Sequence, residues 1–193
     1  MGKIVISENV TLDGVMQDPT GEEGFQRGGW FGRVGDTDRE AWAKAELEEA
    51  LGAEALLMGR RSYEYFVARG WGSRSGEWAE RLRSLPKYVV SSTLGDLEWI
   101  NSTVLKGDVV TEVSKLKERV NGDIVVYASS GLVPTLMEHD LADELRLMVF
   151  PFVLGAGKRL LGETSAMLPL RLVDTRTIGD GVAFLTYQLV RNT

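Results

Sequence analysis

Two arginines and a serine follow a glycine at the point where a buried strand is expected to become a helix. The stretch Gly59-Arg60-Arg61-Ser62 lies between the apolar run Ala55–Met58 and an aromatic pattern at helical spacing. A strand that ends at Gly59 and a helix that starts near Arg61 leave backbone N–H groups at the carboxyl edge of the sheet, where the helix dipole favours an anion. The pattern predicts an anion site, and solvated or carboxylate-paired arginines are the alternative.

Two further predicted strands end in small or hydroxylated residues. The strand Tyr88–Val90 is followed by Ser91, Ser92 and Thr93, and the strand Ile124–Tyr127 is followed by Ala128, Ser129, Ser130, Gly131 and Leu132. Three such strand ends in a doubly wound sheet can hold a dinucleotide along its carboxyl edge. Each of them alone is also explained by a turn and a helix cap.

Two loops contain candidates for substrate contacts. Asp13 follows the first predicted strand and can bond a sugar hydroxyl or an amino group, while an Asx turn with the next glycine explains the same pair. The glycine-rich segment 25–36 contains Trp30, Phe31 and Arg33. Such a segment can close over a flat heterocycle and place an arginine on a phosphate. Packing of its aromatic residues on the domain or on a second subunit is the alternative.

The elements that must position these residues are short apolar runs alternating with amphipathic stretches. Strands are predicted at Ile4–Ile6, Ala55–Met58, Tyr88–Val90, Thr103–Leu105 and Ile124–Tyr127. Helices are predicted in TDREAWAKAELEEAL, which opens with Thr37 and Glu40 in capping-box spacing, and in GEWAERLRSL, VSKLKERV and GLVPTLMEH. This alternation predicts a largely parallel sheet with helices on both faces. After about residue 144 only strand-like runs follow, and the turn Ile178–Val182 predicts an antiparallel hairpin.

The composition excludes several classes of protein and site. The 193 residues have a net charge of -6, which opposes a nucleic-acid-binding surface. Cysteine is absent and His139 is the only histidine, so a thiolate or multi-histidine metal site and a histidine-based triad are excluded. No run is long enough to span a bilayer. These features predict one cytoplasmic globular domain over residues 1–193, with no metal, no nucleic-acid partner and no membrane contact.

Five segments, taken in order, resemble one known family. They are SENVTLDGVM, LLMGRRSYEYF, KYVVSSTL, LADELRLMVFPFVLGAGKRLL and VAFLTYQLV. Over nearly its whole length the chain resembles the RibD C-terminal-domain proteins, the bacterial reductase domain with a dihydrofolate reductase-like fold. The resemblance implies an α/β fold, a three-layer α/β/α sandwich with a mixed, mostly parallel central sheet and a C-terminal antiparallel hairpin. It also implies NADPH as the cofactor and a homodimer as the assembly.

The resemblance further implies where the cofactor contacts the chain. Gly59–Ser62 meets the pyrophosphate and the 2′-phosphate, Ser91–Thr93 lies near the adenosine phosphate, and Ala128–Leu132 passes under the pyrophosphate and the nicotinamide ribose. Relatives usually have paired glycines where this chain has Ala128-Ser129-Ser130-Gly131. The added Cβ atoms leave less room beside a phosphate, although serine hydroxyls can donate to it instead.

The reaction implied by the resemblance belongs to riboflavin biosynthesis, where a phosphoribosylamino-uracil is reduced at the sugar to a ribitylamino product. The chain contains no zinc-binding His/Cys signature of the partner deaminase domain. A stand-alone reductase of another small heterocycle is therefore a further expectation. A dihydrofolate reductase-like enzyme and a non-catalytic nucleotide-binding protein are the alternatives.

Carboxylates on the predicted first helix bear on that choice. In folate reductases a buried carboxylate on this helix meets the pterin ring, and a gapless count back from MGRR places that position at Ala43. Glu40 and Glu46 each lie about one turn from Ala43, so either of them takes the place of that carboxylate only if the alignment of the helix is shifted by about one turn. Glu46 is thus a candidate catalytic residue together with Asp13, but an ordinary solvated acidic face is the favoured interpretation of this helix. Ala43 argues against a true folate reductase.

Overall fold

Strands and helices alternate through most of the chain, and the last two strands form a hairpin. The structure, a computed structural model, describes residues 1–162, 164 and 167–191. In chain order the elements are β1 (Lys3–Thr11), α1 (Asp36–Gly52), β2 (Ala53–Gly59), α2 (Arg60–Ala68), α3 (Glu77–Ser84), β3 (Lys87–Val90), β4 (Ser102–Leu105), α4 (Val109–Arg119), β5 (Asp123–Tyr127), α5 (Val133–Glu138), β6 (Ala142–Phe150), β7 (Leu170–Ile178) and β8 (Val182–Leu189). A short 3-10 helix, Trp30–Arg33, precedes α1. Among the described residues no helix is long and apolar enough to cross a membrane.

The strands form one sheet with the order β4-β3-β2-β5-β1-β6-β8-β7. β2 pairs in parallel with both β3 and β5, and β3 pairs in parallel with β4. β7 and β8 are antiparallel, and their turn lies between the paired residues Ile178 and Val182. The predicted mixed, mostly parallel sheet with a C-terminal antiparallel hairpin is confirmed.

Local sequence signals set the starts of two helices. Asp108 precedes α4, and its carboxylate accepts a hydrogen bond from the Thr111 backbone N–H at 2.9 Å. This contact satisfies one of the amide groups that a helix leaves free at its first turn. α2 begins at Arg60, directly after Gly59 in an extended conformation, which is one residue earlier than predicted.

The first helix starts earlier than its predicted cap. α1 begins at Asp36, so Thr37 lies inside the helix and the predicted capping-box role of Thr37 is wrong. The backbone N–H of Arg39 donates to the carbonyl of Gly35 at 3.1 Å, which closes a helical turn across Thr37. Asp36 and Asp38 instead place negative charge in the first turn, where the helix dipole favours it.

The chain divides into two compact units. Unit 1 comprises Met1–Ile6 and Glu46–Glu144, and unit 2 comprises Ser7–Ala45 and Leu145–Thr193. The core of unit 1 includes buried residues from β2, β3 and β5 and aromatic residues from α2, among them Leu56, Met58, Val89, Val125, Tyr63 and Phe66. The core of unit 2 is built around Trp30, Met148, Phe150 and Phe184.

A buried lysine closes the end of α3 in unit 1. The side chain of Lys87 is fully buried, and its ammonium group donates to the carbonyl oxygens of Leu82, Arg83 and Leu85 at 2.9, 3.1 and 2.7 Å. The last carbonyls of a helix have no partner within it, so a cation at this end satisfies them and also suits the helix dipole. Burial, followed by the positive charge of Arg83, lowers the pKa of Lys87 to about 8.

Candidate functional site

The three strand ends that the sequence singled out are neighbours in the sheet. β3, β2 and β5 are adjacent and parallel, and the final residues Gly59 and Val90 are paired partners. Parallel strands that run side by side end at the same edge of their sheet. The segments Gly59–Ser62, Ser91–Thr93 and Ala128–Leu132 therefore share the carboxyl edge of unit 1, which is where open α/β sheets bind ligands.

Ser129 connects the end of β5 to the end of β2. Its hydroxyl accepts a hydrogen bond from the backbone N–H of Gly59 at 3.1 Å and donates to the carbonyl of Tyr127 at 3.1 Å. The backbone N–H of Ser129 donates in turn to the hydroxyl of Ser62 at 2.8 Å. Both serines are buried. Their hydroxyls are thus engaged inside the protein at the edge where a phosphate was predicted.

A similar contact joins β2 to β3. The guanidinium of Arg60 donates to the hydroxyl of Thr93 at 3.3 Å. The hydroxyl of Ser91 accepts hydrogen bonds from the backbone N–H groups of Thr93 and Leu94 at 3.2 and 3.0 Å, which shapes the turn after β3. Arg60, Arg61, Ser92 and Thr93 are all exposed. The edge therefore offers two cations and two hydroxyl residues to solvent.

The turn after β5 has a backbone conformation that ordinarily favours glycine. Ala128 has a φ of 53° and Ser129 a φ of 61°, both in the left-handed region. Each costs about 1 kcal/mol or more relative to glycine there. The carbonyl of Ser129 then accepts hydrogen bonds from the N–H groups of Leu132 and Val133 at 2.7 and 3.1 Å, which leads the chain into α5. The same backbone path that paired glycines would adopt is thus present with two side chains added.

The open space at this edge is compatible with a dinucleotide. A Cβ atom built on Gly131 would meet nothing within 4 Å, and one built on Gly59 would meet only the Cβ of Leu132, at 4.0 Å. The backbone at both glycines is therefore approachable by a ligand. With the exposed guanidinium groups of Arg60 and Arg61 nearby in sequence, the residues present suit a phosphate-bearing cofactor.

Asp13 holds two loops of unit 2 together. Its carboxylate accepts hydrogen bonds from the Thr11 hydroxyl at 2.7 Å and from the backbone N–H groups of Leu154 and Gly155 at 3.1 and 2.8 Å. Arg159 lies 3.8 Å from the same carboxylate and also donates to the Asp13 carbonyl. The Thr11 hydrogen bond and the two backbone hydrogen bonds lower the pKa of Asp13 to about 2. Near neutral pH the group is an acceptor and supplies no proton.

The carboxylates of α1 are not all exposed, as the sequence led us to expect. Glu40 and Ala43 are exposed, but Glu46 and Glu49 are only 4% and 8% exposed. The interpretation of this face as ordinary solvated surface is therefore correct for Glu40 and wrong for Glu46. Glu40 and Glu46 are six residues apart, so they lie on different faces of the helix, whereas Glu46 and Glu49 are three residues apart and share the buried face.

Tyr127 is a polar residue of this region that the sequence reasoning missed. It ends β5, directly before the left-handed turn, and it is buried. Burial, followed by the charges of Glu49 and Glu46, raises the pKa of Tyr127 well above its usual value. Its apolar strand context predicted a core residue. Only the folded structure shows that its buried hydroxyl feels the charges of Glu49 and Glu46.

The predicted lid residues have separate environments. Trp30 is 1% exposed, packs edge-to-face on Phe150 with ring centroids 5.3 Å apart, and donates from its indole to the carbonyl of Gln17 at 3.1 Å. Phe31 packs on Trp42 at 4.6 Å, while Arg33 is exposed. Trp30 thus follows the alternative in which the loop packs on its own domain. Among the described residues no group of three or more His, Cys, Asp or Glu side chains is arranged to hold a metal ion.

The chain matches the family model described as the RibD C-terminal domain over residues 2–184. The uncharacterized protein YyaP of Bacillus subtilis (strain 168) is 32% identical over 139 residues, which cover 69% of this chain and 73% of that protein. The match to the family model extends over both compact units.

Solved structures share the fold at low sequence identity. A candidate riboflavin biosynthesis protein from Shewanella sp. PV-4 superimposes with a TM-score of 0.75 at 19% identity, covering 98% of this chain and 99% of that one. A pyrimidine reductase-like protein from Corynebacterium diphtheriae has a TM-score of 0.59 at 12% identity, with 98% and 92% covered. A diaminohydroxyphosphoribosylaminopyrimidine deaminase/5-amino-6-(5-phosphoribosylamino)uracil reductase from Thermotoga maritima gives 0.64 at 14%, with 98% of this chain but only 57% of that chain covered.

Proposed function

This chain belongs to the RibD C-terminal domain family, and from that premise we propose that it is an NADPH-dependent reductase of a small heterocycle, such as an aminopyrimidine that bears a sugar. The observation that supports the proposal most is the common carboxyl edge of β3, β2 and β5 with Arg60 and Arg61 exposed on it. An acidic protein of net charge -6 needs a local site of this kind to hold a multiply charged cofactor.

The cofactor contacts are divided among three types of group. Arg60 and Arg61 supply charge for phosphate, Ser92 and Thr93 supply hydroxyl donors, and the backbone of Gly131 lies beside open space. When bound, a reduced nicotinamide would supply the hydride, so the protein has to position the reactants and exclude water.

Each compact unit has its own candidates for a substrate contact, and the two sets are separate proposals. In unit 2, Asp13 keeps a charged acceptor fixed between two loops, and the exposed Arg33 is available for a substrate phosphate. In unit 1, the buried carboxylate of Glu46 is a candidate to hold an amino group or a proton of the heterocycle. A low pKa leaves Asp13 as an orienting acceptor and not as the acid of the reaction.

A dihydrofolate reductase-like enzyme is a second candidate, favoured by the burial of Glu46 and Glu49. The sequence argued against this function because Ala43 occupies the gapless position of the pterin-binding carboxylate. Ala43 is exposed, however, and the buried carboxylates of α1 lie one and two turns further on. A shifted register would therefore place a carboxylate on the correct side of the helix.

We also propose a homodimer, with the edge strand β7 as its contact surface. β7 is at the end of the sheet, and its residues Arg171 to Thr177 are all exposed. Leu172 and Val173 are 49% and 45% exposed, although a lone edge strand normally avoids exposed apolar residues. A second copy of the chain that covers β7 would bury both side chains and pair with the outer edge of this strand.

The reductase proposal is tested by following the absorbance of reduced nicotinamide. The purified protein is mixed with NADPH and, in separate reactions, with a phosphoribosylamino-uracil, dihydrofolate and related aminopyrimidines. Oxidation of NADPH with an aminopyrimidine and not with dihydrofolate supports the proposal, whereas the opposite preference supports the second candidate. Tight NADPH binding without turnover on any of these compounds would contradict both and indicate a nucleotide-binding protein.

A further inference from the structure

We infer that Ser62 and Ser129 are positioning residues for the cofactor, because their hydroxyls hold the ends of β2 and β5 together and do not serve as phosphate ligands. This inference rests on the proposed function. We call the three hydrogen bonds between Ser129 and Gly59, Ser62 and Tyr127 the serine brace. All four residues belong to unit 1.

The hydrogen-bonding capacity of Ser129 is already used within the protein. A serine hydroxyl has one O–H to donate and two lone pairs to accept. In Ser129 the O–H is directed to the carbonyl of Tyr127, and one lone pair receives the N–H of Gly59. At 6% exposure little of the residue is accessible to a ligand. A phosphate that used this O–H would have to break the bond to Tyr127.

The same is true of the acceptor side of Ser62. Its hydroxyl oxygen receives the backbone N–H of Ser129 at 2.8 Å, and the residue is 9% exposed. Ser62 lies in the first turn of α2, and Ser129 lies in the turn after β5. The contact therefore ties the start of one helix to the turn that precedes another.

The serine brace offsets the strain of the turn. Ala128 and Ser129 both have left-handed backbone conformations that side chains disfavour. A pair of glycines would adopt these conformations without help, but it would also leave the turn free to adopt others. Hydrogen bonds to Gly59 and Ser62 select the one conformation. The turn is therefore strained but fixed by side-chain hydrogen bonds.

Fixing Gly59 also fixes the cation beside it. Gly59 is the residue before α2, and Arg60 follows it with its guanidinium directed to Thr93. A rotation of the Gly59 peptide would redirect the Arg60 side chain, because Arg60 is its immediate neighbour. The serine brace therefore determines where Arg60 is presented and, through it, how well the 2′-phosphate of NADPH is distinguished from the 2′-hydroxyl of NADH.

Ser129→Gly separates this role from a purely structural one. The substitution relieves the left-handed strain, but it also removes the acceptor for the Gly59 N–H and the donor for the Tyr127 carbonyl, so its two effects on thermal stability oppose each other. We expect NADPH affinity to fall about tenfold and NADH affinity to change by less than about threefold. Arg60 would no longer be held in position for its charge-assisted contact with the 2′-phosphate, which NADH lacks. Asp140→Gly is the matched control, because Asp140 is exposed with a φ of 53° in the α5–β6 connection. It relieves the same kind of backbone strain and should leave both affinities unchanged.

Amide hydrogen exchange distinguishes failure of the inference from failure of the proposed function. In the wild-type protein the Gly59 and Ser129 amides should be protected. Ser129→Gly should accelerate exchange at Gly59, and Ser62→Ala should accelerate it at Ser129, while Asp140→Gly should affect neither. Equal Gly59 exchange in the wild type and in Ser129→Gly would overturn the serine brace, whether or not NADPH binds. A Ser129→Gly protein with the wild-type preference for NADPH over NADH would overturn its positioning role, and a wild type that binds neither nucleotide would overturn the proposed function instead.

Discussion

The guanidinium of Arg60 lies 3.3 Å from the hydroxyl of Thr93, and this contact links the end of β2 to the end of β3. A cation held across two neighbouring strand ends is at a defined place on the carboxyl edge of the sheet. Arg61 follows it and is also exposed. The two guanidinium groups are the strongest anion-binding groups among the predicted cofactor residues.

Arg60→Ala should weaken NADPH much more than NADH. A charge-assisted hydrogen bond contributes about 1.5–3 kcal/mol, which corresponds to a loss of roughly tenfold or more in NADPH affinity. Fluorescence titration with each nucleotide measures both constants. Arg119→Ala, at an exposed arginine of α4, is the control and should change neither. Equal losses for the two nucleotides in Arg60→Ala would refute the 2′-phosphate assignment, and Arg61→Ala is tested in the same way.

Asp13→Asn should lower turnover and spare cofactor affinity. In the native protein the backbone N–H groups of Leu154 and Gly155 donate to the two carboxylate oxygens of Asp13. Asparagine has an NH₂ group in place of one of these oxygens, so one N–H loses its acceptor and the loop loses its fixed position. Steady-state kinetics with NADPH and the best substrate measures this effect. An unchanged kcat would leave Asp13 with only its role in the turn.

The low pKa of Asp13 also predicts a dependence of stability on pH. Its folded pKa of about 2 is below the ordinary value of 3.8, so its contribution to stability is present above about pH 3.8 and is lost as the pH falls through 2. Thermal unfolding of wild type and Asp13→Asn between pH 2 and 6 measures it. The two proteins should converge in stability toward pH 2. A stability difference that is independent of pH would argue against an ionised Asp13 as the cause.

The lowered pKa of Lys87 predicts a change in stability at alkaline pH. Its folded pKa of about 8 is below the ordinary value of 10.5, so the unfolded state binds more protons between these values and this group makes stability rise with pH. Lys87→Met should lack that rise. It should also be destabilised at neutral pH by about 2 kcal/mol or more, because three carbonyls lose their donor, two of them in buried contacts. Chemical denaturation at pH 7.5 and 10 gives both quantities, and a variant as stable as the wild type at pH 7.5 would contradict this account.

Glu46→Gln tests the buried carboxylate of α1. If Glu46 holds a donor group of the substrate, kcat/KM should fall by about tenfold or more while NADPH affinity is retained. Glu40→Gln is the matched control, because Glu40 is an exposed glutamate on the same helix. Similar kinetics for the two variants would show that the burial of Glu46 serves packing alone.

Leu172→Lys tests the proposed dimer contact. A charge on the exposed edge strand β7 should shift the protein toward monomer in sedimentation velocity experiments, since it would be buried against the second copy. Leu51→Lys is the control, because Leu51 is 60% exposed at the end of α1. A wild-type protein that is already monomeric at high concentration would contradict the proposal.

The sheet could be predicted from the sequence because its strands are short apolar runs. Val89, Ile124 and Val125 are fully buried, and the runs that contain them became β3 and β5 in the expected positions. The grouping of the three strand ends also followed, since parallel strands in one sheet end at one edge. Element boundaries were less accurate, as the early start of α1 at Asp36 shows.

The contacts at the site depended on tertiary neighbours that no local pattern specifies. Ser62 and Ser129 are 67 residues apart in the chain, and their hydrogen bond exists only because β2 and β5 are adjacent. Charged residues occur all around α1, so periodicity does not identify the side of the helix on which Glu46 is buried. Trp30 was equally compatible with a lid and with a core, and the packing on Phe150 decided between them.

The cofactor assignment is best tested by a crystal structure of the protein grown with NADPH. We expect the pyrophosphate along Gly59–Ser62 and Ala128–Leu132, with the 2′-phosphate in contact with Arg60 or Arg61. The Ser129 hydroxyl should still bond Gly59 and Tyr127 in that complex. A cofactor bound elsewhere, or no cofactor at saturating NADPH in crystals whose lattice leaves this edge open, would contradict it.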